Sequence, residues 1–492
     1  MRARRWMTWS IGTLMALGVG CGGVVEAETE GTSRDTSLPL VGRDVTPGRS
    51  EAKASELQAS QVRVGWARRL GGAGDERLLA LSTDARGGFV TAGQFGDTPF
   101  SSLDGFALAR YDVTGALQWS RTVTTEQAEA HALAVTPEGN LLVVGTYTGA
   151  PDLGTGPLPR APSTYSALFL AKYSPSGQPL WTRGFDTRGP SPAVFPLAVA
   201  TDAQGSLVVV GQLRGRVNLG GGDISAGVVN ENDPNNLSPG GFVAKFTWQG
   251  QHVFSRAIDG GSGGVTTDTQ TVSTDSAGNV LVGGRAGRGA NLGDGVLTQD
   301  APYVARYSPT GTLQWKRLFP GARGTIASVA PVGTTAVAFN ANLGGRFTFG
   351  GAQRVGGSPG DAAVDDLGAF TATLSGTGTD GWLRDQGQGR VRQLVADTTG
   401  TLTVLGDNTT GASESMGTPY VARYSASGAP LGSRALDPNL FSDGLSPERM
   451  RMGLQPGGSV VVGSAFMTPI SLDGRTYTSR GRSDLFFFQL LP

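Results

Sequence analysis

An aromatic residue followed two positions later by arginine recurs along most of the chain, and this repeat constrains the fold more than any other feature. The instances are Trp66/Arg68, Trp119/Arg121, Trp181/Arg183, Phe254/Arg256, Trp315/Arg317 and Trp382/Arg384, with a degenerate seventh at Gly432/Arg434. Successive positions lie 53, 62, 73, 61, 67 and 50 residues apart. A motif that keeps its register while its spacing drifts belongs to a repeated unit with insertions in its loops.

Two hairpins accompany each copy. One is written "FALARYDVTG" from Phe106, "LFLAKYSPSG" from Leu168, "FVAKFTWQG" from Phe242, "YVARYSPTG" from Tyr303 and "YVARYSASG" from Tyr420. Alternating apolar residues give a two-faced strand, and the closing glycine supplies the positive φ of a tight turn. The other is written "LALSTDARGGFVTAG" from Leu79, "LAVTPEGNLLVVG" from Leu133, "LAVATDAQGSLVVVG" from Leu197, "TVSTDSAGNVLVGG" from Thr271, "LVADTTGTLTVLG" from Leu394 and "GLQPGGSVVVG" from Gly453. "SVAPVGTTAVAFN" from Ser328 fills the remaining slot. Four strands per unit, seven units and no helical periodicity predict an all-β chain: a seven-bladed β-propeller of four-stranded antiparallel blades. A parallel β-helix is the alternative, but its coils are shorter and more regular.

The order of strands carries two further expectations. The strand near Leu133 should be innermost in its blade and the Trp119 strand outermost. The strand at Trp66 then precedes any complete blade, and "LFFFQLL" from Leu485 ends the chain without an outer partner. Pairing those two leftovers closes the ring and removes both edges. Tight turns should share one face, and the long connections, including 148–166, 214–240, 350–366 and 437–448, the other.

Residues 62–492 resemble the bacterial β-propeller-repeat family called SBBP, whose strings match Asp275 to Gly284 ("DSAGNVLVGG") and Phe242 to Phe246 ("FVAKF"). The resemblance implies a propeller on exported or surface proteins and assigns no catalytic residues. "ARYDVTGALQW", Ala109 to Trp119, also resembles the tryptophan-docking repeat of quinoprotein dehydrogenases, which packs neighbouring blades; no ligand set for the quinone's metal accompanies it.

The amino terminus reads as an address. A basic start (Arg2, Arg4, Arg5), an apolar run from Trp6 to Val19, then Gly20 and Cys21 form a secretory signal too short to span a bilayer. It resembles a bacterial lipoprotein signal, which implies cleavage after residue 20 and lipidation of Cys21; Gly18 stands where that family prefers leucine. Residues 21–61 are poor in large apolar side chains and read as the lipidated cysteine and a flexible tether. The expected location is the cell envelope, at the outer membrane, attached by the lipid alone.

Chemistry is narrowly bounded. Cys21 is the lone cysteine and His131 and His252 the two histidines, so a histidine metal cage or a Ser-His-Asp triad has almost no material. Removing three arginines with the signal leaves 37 basic against 40 acidic residues, a net of −3, without the basic footprint that nucleic acid requires. Asp84, Asp202, Asp275 and Asp397 recur before turn glycines and read as turn caps. Acids found once are the better site candidates: Asp223, Glu231 and Asp233, amid Asn230, Asn232, Asn235 and Asn236. They could hold Ca²⁺ through oxygens but lack the one-three-five spacing of a calcium loop, so no cofactor or metal is expected. Two functions compete. The favoured one is a non-catalytic, monomeric binding scaffold that presents its variable-loop face to a protein or polysaccharide; the alternative is an extracellular glycan-active enzyme using loop carboxylates.

Overall fold

A computed structural model describes residues 62–71, 74–96, 105–124, 128–162, 165–227, 239–259, 267–357, 367–408, 417–441 and 450–492. The expectations for residues 1–61, Cys21 included, and for Glu231 and Asp233 therefore lie outside the described residues.

Seven antiparallel sheets follow one another in chain order, each with a four-stranded path; in the third and fifth a short extra strand, Asp223–Ala226 or Ala352–Gly356, pairs beside it. Blade 1 runs Asp75–Thr83, Phe89–Gly96, Gly105–Tyr111 and Leu117–Thr124, from inner to outer strand. The inner strands of blades 2 to 7 are Ala128–Val135, Thr187–Thr201, Asp268–Thr274, Ala322–Val332, Arg390–Ala396 and Arg451–Leu454. This is the seven-bladed propeller the repeat predicts. Blade 7 takes its outer strand, Arg63–Leu70, from the other end of the chain; it pairs antiparallel with Asp484–Leu491, Arg63 opposite Leu491 and Leu70 opposite Leu485.

Hydrophobic contact between blades, more than within them, holds the ring. Phe106 of blade 1 stacks on Phe169 of blade 2, centroids 5.9 Å apart. Trp66 of blade 7 stacks on Phe89 of blade 1 at 5.9 Å. Each sheet is thus covered on both faces, which explains why second and third strands such as Leu141–Tyr147 and Ala167–Tyr173 are mostly apolar and buried throughout.

The recurring glycine that ends "VVVG" also has a structural cause. In blades 1 to 6 the inner strand slips register at the same place, between Leu78 and Ala80, Ala130 and Ala132, Pro196 and Ala198, Thr269 and Thr271, Ile326 and Ser328, and Val391 and Gln393. Each slip is a β-bulge, which bends the strand and re-aims one side chain. The bulge presses an inner-strand carbonyl toward the second strand. A Cβ on Gly145 would lie 2.0 Å from the Glu129 carbonyl oxygen, and one on Gly211 2.0 Å from that of Phe195. Those positions admit only glycine.

Candidate functional site

The aromatic-x-arginine motif proves to be a stitch between blades. Each outer-strand indole donates to the turn joining the third and outer strands of the next blade: Trp66 to Val113 O at 2.9 Å, Trp119 to Pro175 O at 2.9 Å, Trp181 to Trp248 O at 3.3 Å, Trp315 to Gly376 O at 2.8 Å and Trp382 to Ala426 O at 2.9 Å. Gly177, at φ 79°, lies flat against Trp119, where a Cβ would approach the ring to 2.9 Å. Blade 6 has Gly432 at this register for a topological reason. Its neighbour, blade 7, draws its third and outer strands from opposite chain ends, so there is no turn for an indole to reach.

The arginines make the next link. Arg121 lies 6.0 Å over the ring of Tyr173 in the next blade, and Arg256 lies 5.7 Å over Tyr307. Arg317 grips Asp380 through two hydrogen bonds of 2.7 and 2.9 Å. Burial pushes the Asp380 carboxyl up, but the bonds from Arg317 and the Gly350 N–H outweigh it and hold the pKa below the usual carboxylate value. Arg384 donates to Gly428 O at 2.8 Å and Arg434 to Val62 O at 2.9 Å.

The recurring aspartates cap their turns. Asp202 accepts from the N–H groups of Gln204 (3.0 Å) and Ser206 (2.9 Å), and Asp275 from those of Ala277 (3.0 Å) and Asn279 (2.9 Å). Each also pairs with a cation on the third strand: Asp84 with Arg110, Asp202 with Lys245 at 2.9 Å, Asp275 with Arg306 at 2.5 Å. The cation then donates onward, Arg110 to Gly139 O at 3.0 Å and Lys245 to Gly278 O at 3.1 Å in the next blade. These carboxylates are occupied as structural groups.

The seven inner strands enclose an axial channel of about 550 Å³. Its wall mixes aliphatic side chains such as Leu79, Leu133, Leu197 and Val199 with polar ones, His131, Gln270, Gln393 and Arg451 among them, and is on balance polar. Hydroxyls tie neighbouring inner strands together, as in Thr83 to Leu454 O at 2.5 Å and Thr274 to Thr201 O at 2.6 Å. His131 occupies a bulge and bonds Thr146 Oγ1 through Nε2 at 2.9 Å. Burial lowers its pKa, with Glu129 opposing.

Strand polarity puts the long connections on one face, but their described segments do not stay there. "DLGTGPL" at 152–158, "NLGGGDI" at 218–224 and "NLGDGVL" at 291–297 turn back along the flank of the blade. Leu153 O accepts from Tyr173 Oη at 3.0 Å and Leu292 O from Tyr307 Oη at 2.8 Å, both at the tight-turn end of the third strand. Asp152, Asn218 and Asn291 each close the hairpin by accepting from the N–H two residues on, at 2.7, 2.8 and 2.8 Å. This second repeat was legible as a recurring Asx-Leu-Gly but is masked by insertions of unequal length. Asp223, exposed, begins a short strand, Asp223–Ala226, that pairs with the preceding one opposite Asn218. It sits on that flank rather than beside the channel. Among the described residues no three His, Cys, Asp or Glu side chains converge as metal ligands.

One part of the long-connection face departs from the repeat. The inner strand of blade 3 is 15 residues long and carries Phe195 and the bulged Leu197, each 37% exposed. Ser191, just before them, holds a left-handed φ of 46°, a conformation that costs energy in a non-glycine residue and persists where the surrounding structure holds it. Arg214 Nε donates to the Ser191 carbonyl at 2.6 Å. Burial lowers the Arg214 pKa, and the exposed Tyr165, from the blade 2 connection, lies near enough to oppose that shift. Phe195 and Arg214 stand on neighbouring strands with one residue pair between them, so Tyr165, Phe195 and Arg214 place two exposed aromatic side chains near a fixed cation, with Leu197 beyond them in the wall of the channel. Sequence reading missed this group because the recurring hairpin that begins at Leu197 does not reveal the bulge and the length of this strand.

No family model and no curated protein matches the chain. Among solved structures it is similar to a protein of unknown function from Dyadobacter fermentans (8% identity over 87% of this chain and 99% of that one, TM-score 0.45). It is also similar to polysaccharide lyase Uly1 (11%, 90% and 95%, TM-score 0.44) and to the Dos1 propeller (8%, 87% and 95%, TM-score 0.40).

Proposed function

We propose that the chain is an exported cell-envelope lipoprotein, held by Cys21, whose propeller is a non-catalytic binding scaffold for a protein partner. The observation that carries the reading is the group of Tyr165, Phe195 and Arg214 at the long-connection face. Tyrosine, phenylalanine and arginine are the residue types enriched where protein interfaces concentrate their energy. Here Phe195 and Arg214 stand on paired strands held by a bulge and by the bond from Arg214 to the Ser191 carbonyl, so little order would be lost on binding. The lipid attachment rests on the sequence of residues 1–21 alone.

A photo-crosslinking residue placed at Phe195 in the native host tests both parts. A discrete crosslinked protein, lost with Tyr165→Ala and not formed from the same probe at Leu180 on an outer strand, supports the reading. Identical crosslinks from both positions, or none, overturn it. Metabolic labelling with a fatty-acid analogue, incorporated by the wild type and not by Cys21→Ser, tests the anchor separately.

A further inference from the structure

The tight-turn face carries a second feature found once in the ring. The turns joining third and outer strands place Val113, Pro175, Pro309, Gly376 and Ala426 at equivalent positions, and in blade 3 that position holds Trp248. The residue is 54% exposed. The turn itself does not require tryptophan, because its backbone closure, Gly250 N–H to Thr247 O at 2.8 Å, matches that of the other turns. Covering the third-strand cation of the preceding blade does not require it either, since Pro175 lies beside Arg110 at the corresponding seam.

Trp248 is held firmly. Its carbonyl accepts from Lys172 Nζ at 3.1 Å and from Trp181 Nε1 at 3.3 Å. The Lys172 ammonium lies 5.4 Å from the indole centroid and occupies one ring face through cation–π attraction. The neighbouring Gly205, at φ 73°, has no side chain, and the position its Cβ would take is 3.2 Å from Glu138 Oε2 and 3.8 Å from the Trp248 Cβ. A glycine floor thus lies between a fixed indole and a carboxylate. Thr136 Oγ1 donates to that carboxylate at 2.7 Å, and this bond, with a backbone N–H and Lys172, keeps Glu138 ionised and acceptor-only.

We propose that Trp248, Glu138 and the backbone of Gly205 form a binding site for a neutral saccharide. The apolar C–H face of a pyranose ring would stack on the free indole face while adjacent hydroxyls donate to Glu138. A carboxylate that only accepts is matched by vicinal hydroxyls, which donate, and is mismatched to anionic ligands. Rigid support of the platform limits the entropy lost on binding. The site lies on the face opposite Tyr165 and Phe195 and does not depend on the protein-binding reading.

The test uses the full chain carrying Cys21→Ser, run in native gels cast with hydroxyethylcellulose, glucomannan or arabinoxylan. Retardation by at least one of these glycans is expected. Trp248→Ala should abolish it, Trp248→Phe retain part of it, and Glu138→Gln weaken affinity about tenfold, equivalent to about 1.4 kcal/mol. Circular dichroism and thermal unfolding confirm that the variants keep the propeller. Failure of all three glycans to retard the wild type, or equal retardation of Trp248→Ala, overturns the proposal. So does Trp248-dependent sedimentation with phosphatidylcholine–phosphatidylglycerol vesicles in the absence of glycan retardation, which would assign the indole to a lipid surface.

Discussion

Arg69→Met tests whether closure by the first strand governs the stability of the whole ring. Arg69 Nη1 lies 2.5 Å from Asp484 Oδ2, linking the strand that begins the propeller to the strand that ends it, and the Asp484 side chain is 0% exposed. Methionine keeps most of the packing of the arginine stem but leaves the carboxylate without its cation. Removing one partner of a buried ion pair costs about 3–5 kcal/mol. The Arg480 N–H, 3.0 Å from the same oxygen, still donates, which puts the cost near the low end, about 3 kcal/mol. With an unfolding entropy of roughly 2.1 cal/mol/K per residue over about 430 residues, Tm should fall by roughly 3 °C. Guanidinium denaturation followed by far-ultraviolet circular dichroism and by tryptophan fluorescence is the sharper assay: both transitions should shift together, because every blade borrows its cover from the next. Replacing the pair by apolar residues, Arg69→Met with Asp484→Leu, should recover more than half of the loss, since buried pairs are often no better than hydrophobic contact. A loss under about 1 kcal/mol in the single variant, or a double variant no more stable than the single, would refute the claim that this pair secures the closure.

Two further outcomes follow from the same geometry. Trp119→Ala, which deletes an interblade indole and its bond to Pro175 O, should cost about 3 kcal/mol, whereas Trp248→Ala should change stability by less than about 1 kcal/mol in the same denaturation assay. His131 has a folded-state pKa lowered by burial, so the folded chain disfavours its protonated form; its contribution is complete above the unfolded value of about 6.5 and is lost as pH falls below it. His131→Gln should therefore lose less stability than the wild type between pH 7 and pH 5, as measured by thermal unfolding at each pH.

The sequence alone determined the number of blades, the order of strands within them, and the strand pairing that closes the ring. These follow from period-two alternation, turn glycines and a motif kept in register through seven units, all of which are local or counting properties of the chain. It also marked Trp66, Trp119 and Arg121 as special, yet could not name their partners, because Pro175 O, Val113 O and Tyr173 belong to the next blade and enter only when sheets are set side by side. The degenerate Gly432 is intelligible once the circular order shows that blade 7 offers no turn at that register. The candidate sites were the least legible part. Asp223 was singled out for being unrepeated, but a short antiparallel pairing places it on a flank. Phe195 and Leu197 lie on the longest of the inner strands, and their exposure arises with a bulge and with the length of that strand, neither of which the recurring hairpin reveals. Exposure is a property of what fails to cover a side chain, and that is decided by tertiary structure.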